Sequence, residues 1–389
     1  MRIAFLGSVP AATVFPDSSL RQSGRGGHHP APWIAALLPD LARLADFQFR
    51  VFMPQRAVRA RMLIEKDGVE YEGLPVHMTE RWNPQTNYWV RSIAVHRALK
   101  EYRPDVIHAF GFETGNVTVA LRTGLPVSAF IQGIVEELYP WIGYLGEQRR
   151  RCDLRIERAA VRKVRWFVAE TRFAERWALS HRPDAHVARI PHPLRRGFLE
   201  AGSSQGGKRI ISVGGLDPRK GMDTLIRALA RMGDREATLR LIGDGSDRAA
   251  LQALAGELGV AGRVELPGSM PSERVVDELR DAAVFVIASR MDTSPNVISE
   301  AHAMGLPVVG TNVGGIPEMI EEGVDGHVVD RDDAGAFAAR LDALLANPAA
   351  IRRMGEAGRR KVAVENDPDR VARAHVEFFR KIREDLRAG

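Results

Sequence analysis

Short continuous runs of bulky apolar residues alternate along this chain with longer stretches whose apolar positions recur at helical spacing. A run such as Val284-Phe-Val-Ile-Ala288 is too short for a helix and too continuous for a half-exposed strand, so it reads as a strand buried on both faces. In the first half such runs predict strands near Arg2–Leu6, Phe49–Met53, Asp105–Ala109, Val127–Ile131, Trp166–Ala169 and His186–Ile190. In the second half they predict strands near Arg209–Val213, Leu239–Ile242, Arg263–Leu266, Val284–Ala288 and Pro307–Gly310. Beyond Asp330 the pattern is helical to the end, broken at Pro348 and Pro368. Strands that alternate with helices predict parallel sheets covered by helices on both faces.

Length and charge divide this pattern in two. A chain of 389 residues has room for two to three domains, each with a full core. The Gly/Ser-rich stretch 201–209 reads as a linker. Residues 1–200 hold 29 Lys/Arg against 20 Asp/Glu, while residues 201–389 hold 26 against 29. A basic first half and a slightly acidic second half imply domains with different partners. Neither zinc spacing nor a ribonucleoprotein sheet motif is present, which argues against nucleic acid. One cysteine, Cys152, excludes an internal disulfide framework and suits a reducing, cytoplasmic compartment. The apolar start is short and broken by Gly7 and Pro10, so it reads as a first strand rather than a signal peptide. No window approaches the roughly 18 apolar residues of a membrane span.

The chemistry concentrates between Ser289 and Glu318. Here a strand is followed by a loop, a helix from Asn296 to Met304 and a second buried strand, Leu306-Pro-Val-Val-Gly310. Pro295 suits a first helical turn, with Ser294 before it as N-cap. Loop and helix carry two acids, Asp292 and Glu300. A loop opening into a helix N-terminus offers free amides and a positive dipole end, which suits phosphate. A carboxylate farther along can accept hydrogen bonds from sugar hydroxyls. Phosphate and sugar together point to a nucleotide-sugar.

Residues 294–318, SPNVISEAHAMGLPVVGTNVGGIPE, resemble the signature of the retaining GT-B glycosyltransferases, most closely glycosyltransferase family 4. That family carries two glutamates separated by seven residues, then EA-A-G-PVV and a GG-PE turn. The second acid matches as Glu300; Asp292 stands where the first glutamate is expected. The segment Ile211-Ser-Val-Gly-Gly-Leu-Asp-Pro-Arg-Lys-Gly221 resembles the family's G-R-L-x-x-x-K-G, with Lys220 matching its phosphate lysine and Gly215 replacing its arginine. Arg219 is the neighbour able to supply the missing charge. Leu241-Ile-Gly-Asp-Gly245 and Val264-Glu-Leu-Pro-Gly268 continue the resemblance.

The first half resembles the family in outline. Gly26 and Gly27 match its Gly-Gly loop over the donor phosphates or the acceptor, and the neighbouring His28 and His29 read as solvated loop residues. His108 lies in a segment like the family's PDV-H-H-G strand. Gln132 stands where many relatives carry an acceptor-side histidine, and an amide cannot act as a general base. The loop Tyr139-Pro-Trp141-Ile-Gly-Tyr144 offers Trp141 and Tyr144 as aromatic platforms for an acceptor sugar, with ordinary packing as the alternative. From Gln148 to Arg165 eight basic residues gather on a segment with an apolar face. This is a solvated helix face or one that rests on an anionic membrane.

The resemblance implies a GT-B α/β fold, two Rossmann-like doubly wound domains facing across a cleft. Residues 1–200 would bind the acceptor and 201–365 the nucleotide-sugar donor, while a C-terminal helix, 366–389, would cross back to the first domain. It implies a retaining hexosyltransferase that uses a UDP- or GDP-type donor and a hydroxyl of a glycan, lipid-linked or small-molecule acceptor. Glu300 would bind the ribose and Asp292 the donor sugar. Lys220, with Arg219 and the amides around Ser294, Asn296 and Val297, would stabilise the diphosphate. No cofactor or metal is expected, because cations and helix amides supply the charge. Two alternatives are an epimerase on the same fold and a non-catalytic nucleotide-sugar-binding subunit, the latter motivated by Gly215 and Asp292.

Overall fold

The apolar runs form strands that gather into two sheets. In the computed structural model, which describes residues 1–7, 9, 11–15, 32–55, 57–76, 88–141, 146–201 and 207–388, each sheet is the centre of one of two units. The first unit takes in Met1–Tyr139, Gly143–Pro193 and Pro368–Gly389; the second takes in Pro140–Ile142 and Leu194–Asp367.

The first unit contains β1 (Arg2–Leu6), β2 (Gln48–Gln55), β3 (Met62–Lys66), β4 (Val69–Pro75), β5 (Val106–Phe110), β6 (Val127–Phe130), β7 (Trp166–Ala169) and β8 (His186–Arg189). Their order is β3-β4-β2-β1-β5-β6-β7-β8, and every pairing is parallel except β3 with β4. That edge hairpin escaped the sequence reading, although Asp67-Gly68 turns it with both residues at positive φ, 52° and 73°. An Asp-Gly pair between strand-like runs is a strong hairpin signal. One sheet face packs Trp33, Leu37 and Leu41 of the helix Pro32–Leu44 against Val371, Phe378 and Phe379 of the final helix, Pro368–Ala388. The other face is closed by Val95, Leu99, Val117, Ile156 and Trp177.

The last helix is therefore part of the first unit's core. The boundaries differ from those expected at 200/201 and 365/366: they fall after Pro193 and Asp367. Leu194 and Phe198 are buried among apolar residues of the second unit, and the Leu194 amide donates to the Asn366 carbonyl at 2.9 Å. The chain thus joins the second core before it reaches the glycine-rich stretch.

In the second unit β9 (Arg209–Val213), β10 (Thr238–Ile242), β11 (Val264–Gly268), β12 (Val284–Ile287), β13 (Val308–Thr311) and β14 (Gly326–Val329) are all parallel, in the order β11-β10-β9-β12-β13-β14. The sequence reading missed β14, a short strand that begins at a glycine. Winding reverses between β9 and β12, so the loops leaving their carboxyl ends lie side by side. In open α/β sheets this switch point is where ligands bind.

His108, expected near a strand end, sits mid-strand and fully buried. Its Nδ1 lies 2.9 Å from Ser128 Oγ, among the rings of Phe5, Phe110 and Phe379, so its role is packing. Burial pushes its pKa well below the ordinary value. Burial likewise holds His302 and His375 down at about 4. Below about pH 6.5 the unfolded chain binds protons at these positions that the folded chain refuses. Stability is therefore full above the ordinary histidine pKa and is lost as pH falls toward 4. The expected slope approaches about 1.4 kcal/mol per pH unit for each histidine. A thermal-unfolding series from pH 7 to 5, above the range of most carboxylates, measures it; a midpoint flat across that range would contradict these assignments.

Candidate functional site

Two loops build the site. After β9, Asp217 caps a short turn, its Oδ1 accepting from the Arg219 amide at 3.0 Å. The turn ends at Gly221, whose φ is 61° and where a Cβ would stand 2.1 Å from the Ala288 carbonyl oxygen. After β12, Ala288 leads into the loop that carries Asp292 and then into the helix Asn296–Ala303. Only glycine lets the two loops approach this closely. The Arg290 amide donates to the Arg219 carbonyl at 2.7 Å. The Arg290 guanidinium also reaches the Pro218 carbonyl at 2.6 Å and both Asp223 and Asp332 at 2.8 Å. A third segment follows β13, where Gly314 has φ 55° and a Cβ would stand 2.0 Å from the Asp292 carbonyl oxygen. That same oxygen accepts from the Gly315 amide at 3.0 Å.

Three loops thus fix one carboxylate. Asp292 Oδ2 receives Lys220 Nζ at 2.5 Å, Arg219 Nη1 at 3.5 Å and Ser289 Oγ at 3.4 Å. Oδ1 has no hydrogen bond among the described residues. Burial opposes ionisation of Asp292, but Lys220 and Arg219 outweigh it and hold the carboxyl below the usual aspartate range. Burial pulls the Lys220 ammonium down, with Asp292 opposing. The group remains an ion pair: side-chain exposures of 15% and 16% leave both charges within reach of an incoming ligand. The helix Asn296–Ala303 begins nearby, and its first-turn amides lack acceptors within the helix. Asn296 Oδ1 is buried without a hydrogen-bond partner among the described residues.

Glu300 lies on the same helix and is largely buried. Its Oε1 accepts from Arg195 Nη2 at 2.7 Å. Arg195 also donates through Nη1 to Ser272 Oγ and lies over the Phe198 ring, 4.6 Å from its centroid. Arg195 and Arg290 were missed in the sequence. Arg290 lies within the Ser289–Glu318 stretch but was given no role, whereas Arg195 stands 105 positions before Glu300, and no local pattern links them.

The other expected residues fall as follows. Lys220, Arg219 and Asp292 come together as described. The helix starts at Asn296, not Pro295, which is extended at φ −75°, ψ 110° and occupies the cap position expected for Ser294. Ser294 Oγ lies 3.8 Å from Met319 Sδ, and Val297 is in the first turn. Gln132 is partly buried just past β6. Trp141, expected as an acceptor platform of the first domain, belongs to the second unit, with the guanidinium carbons of Arg331 and Arg290 5.0 and 6.0 Å from its ring centroid. Its face is engaged by both guanidiniums in cation–π contacts. Gly26, Gly27 and Tyr144, with His28 and His29, lie outside the described residues.

Comparison with known proteins bears on the family and the fold. Residues 199–361 match the family described as glycosyl transferases group 1, and residues 30–193 match a glycosyl transferase 4-like domain. A lipopolysaccharide core biosynthesis glycosyltransferase, LpsE of Rhizobium meliloti, is 34% identical over 44% of this chain and 49% of its own. A GDP-mannose-dependent phosphatidylinositol monomannoside mannosyltransferase of Mycolicibacterium smegmatis is 36% identical over 39% of this chain and 42% of its own. The chain therefore spans less than half the length of these curated relatives. Sucrose-phosphate synthase from Thermosynechococcus elongatus superposes with a TM-score of 0.82 at 19% identity, over 99% of this chain and all of that one. Anabaena HepE in complex with UDP-glucose gives 0.73 at 15% identity, with the same coverage. At such identities the likeness establishes the fold.

The two halves of the site are separable by chemistry. Lys220→Met is expected to weaken calorimetric binding of inorganic pyrophosphate by roughly tenfold or more, the loss of a charge-assisted hydrogen bond. Glu300→Gln should leave pyrophosphate binding unchanged. Equal losses in both variants would overturn the division.

Proposed function

Because this chain belongs to the glycosyl transferases group 1 family, we propose that it transfers a hexosyl group from a UDP- or GDP-type nucleotide-sugar to an acceptor hydroxyl, with retention at the anomeric carbon. The observation that carries this reading is the convergence of Lys220 and Arg219 on Asp292 Oδ2 at the switch point of the second sheet. Two cations beside a helix N-terminus suit a departing diphosphate, whose charge grows as the reaction proceeds. Arg219 faces the same oxygen as Lys220, which supports it as the replacement for the family arginine absent at Gly215. That convergence favours an enzyme over a binding-only subunit. The relatives' names, one GDP-mannose-dependent and another bound to UDP-glucose, support both nucleotide types.

The steps follow from these groups. In the resting site Asp292 meets both cations, with Asp217 also beside Arg219. When the donor binds, its diphosphate shares Lys220 and Arg219, while Asp292 Oδ1 accepts a hydroxyl of the donor sugar. Glu300 accepts from the ribose. The bond between the anomeric carbon and the phosphate oxygen then breaks as the acceptor oxygen bonds to that carbon on the same face. The acceptor's proton passes to the departing phosphate oxygen, so no protein base is needed. Lys220 and Arg219 gain most when this charge is largest, which lowers the barrier rather than only tightening binding.

A lipid-linked acceptor would bring the enzyme to a membrane surface. The helix Glu147–Val161 and its exit expose Arg150, Arg155, Arg162 and Lys163, while Ile156, Ala160 and Val161 pack inward. Among the described residues no helix is long and apolar enough to cross a membrane. Surface attachment through these cations suits anionic lipid, with about 1 kcal/mol per charge near the surface.

Two measurements test these readings. Initial rates with UDP- and GDP-sugars over an acceptor panel should show transfer with anomeric retention by NMR. Asp292→Asn should cut that transfer at least about tenfold, through loss of a charged acceptor for the sugar, while free nucleoside diphosphate binds no more weakly. Weaker diphosphate binding in this variant would contradict the assigned role. Separately, cosedimentation with phosphatidylglycerol vesicles should exceed that with phosphatidylcholine, and Arg155→Glu with Arg162→Glu should abolish the excess. Equal binding to both vesicle types would exclude the membrane contact.

A further inference from the structure

A carboxylate that reads a ribose must hold a fixed orientation, because a hydrogen bond weakens steeply with misalignment. Glu300 has a source of that orientation that no motif carries. Arg195 Nη2 engages Oε1 at 2.7 Å, and Oε2 has no hydrogen bond among the described residues. Arg195 is itself held on two further sides, by Ser272 Oγ and by the Phe198 ring at 4.6 Å. Phe198 is 1% exposed and anchors the short helix Arg196–Glu200, which begins one residue after Arg195. Arg195 Nε is buried with no hydrogen-bond partner among the described residues. The guanidinium therefore adopts the pose that serves Glu300 and Ser272, not the one that pairs all its own donors.

We propose that Arg195 is a positioning residue: it immobilises Glu300 through Oε1, leaving Oε2 as the single oxygen that accepts both ribose hydroxyls. This rests on the reading of Glu300 as the ribose contact. One carboxylate oxygen has lone pairs for two donors, so a vicinal diol can share it. The arrangement makes donor recognition depend on a residue outside the reacting groups, and it acts on nucleotide affinity rather than on the chemical step.

The test compares UDP and GDP with their 2′,3′-dideoxy analogues by calorimetry. The native protein should prefer the ribonucleotide that it binds by roughly tenfold or more, as expected when a charged acceptor is lost to its donors. Arg195→Met keeps the packing over Phe198 without the guanidinium. It should shrink that preference to about threefold or less, with the melting midpoint and pyrophosphate affinity kept. Arg195→Lys should restore part of the preference. If Arg195→Met does not fold, Ser272→Ala loosens the same guanidinium and should narrow the preference in the same direction. An undiminished preference in Arg195→Met, or tighter ribonucleotide binding that marks Arg195 as a competitor for Glu300, would overturn the proposal. Undiminished preference in Glu300→Gln would instead remove the ribose reading itself, and so separates the two failures.

Discussion

The ion pair between Lys220 and Asp292, 2.5 Å apart, is the interaction on which the second unit's loops depend. Burying either charge alone would cost several kcal/mol. Together, with Arg219 at 3.5 Å and the Ser289 hydroxyl, they form a charged group that the fold can hold at its sheet edge. The pair also sets the site's resting state, because Asp292 meets both cations while Asp217 lies 4.0 Å from Arg219. An anionic ligand can then take over part of that balance without new charge being buried, which is how a site stays stable when empty and receptive when filled.

Backbone proximity makes that arrangement possible. Gly221 against Ala288 and Gly314 against Asp292 are approaches that no Cβ would permit. They bring the loops after β9, β12 and β13 within hydrogen-bonding distance of one another. Arg290 then ties the first two loops through Pro218, Asp223 and Asp332. The cations Lys220 and Arg219 are thereby mounted on a rigid frame, the condition under which electrostatic stabilisation acts without reorganisation. Glu300 is framed independently, by Arg195, Ser272 and Phe198, so the site has two separately built halves.

Much of this was legible from local pattern. The central strands declared themselves because those such as β1, β5 and β12 are buried on both faces and so are apolar along most of their length. Lys220, Arg219 and Asp292, which the fold brings together, were singled out because they sit within two continuous segments whose spacing is set by strand–loop–helix geometry. The Asp67-Gly68 hairpin was equally readable and was passed over. The cap at Pro295 and the mid-strand burial of His108 were not readable, since each depends on what packs around it.

The sequence by itself determined the alternation of strands and helices, the two-part division and the two segments that carry Lys220, Arg219 and Asp292, because these follow from short-range periodicity and contiguous motifs. Only the tertiary structure decided that the chain passes into the second core at Leu194, that the final helix completes the first core, that Trp141 lies against Arg331, and that Arg195 holds Glu300. The physical reason is the same in each case. These are contacts between residues far apart in the chain, fixed by which surfaces bury the most apolar area and leave the fewest charges unpaired, and no local pattern of side chains encodes that choice.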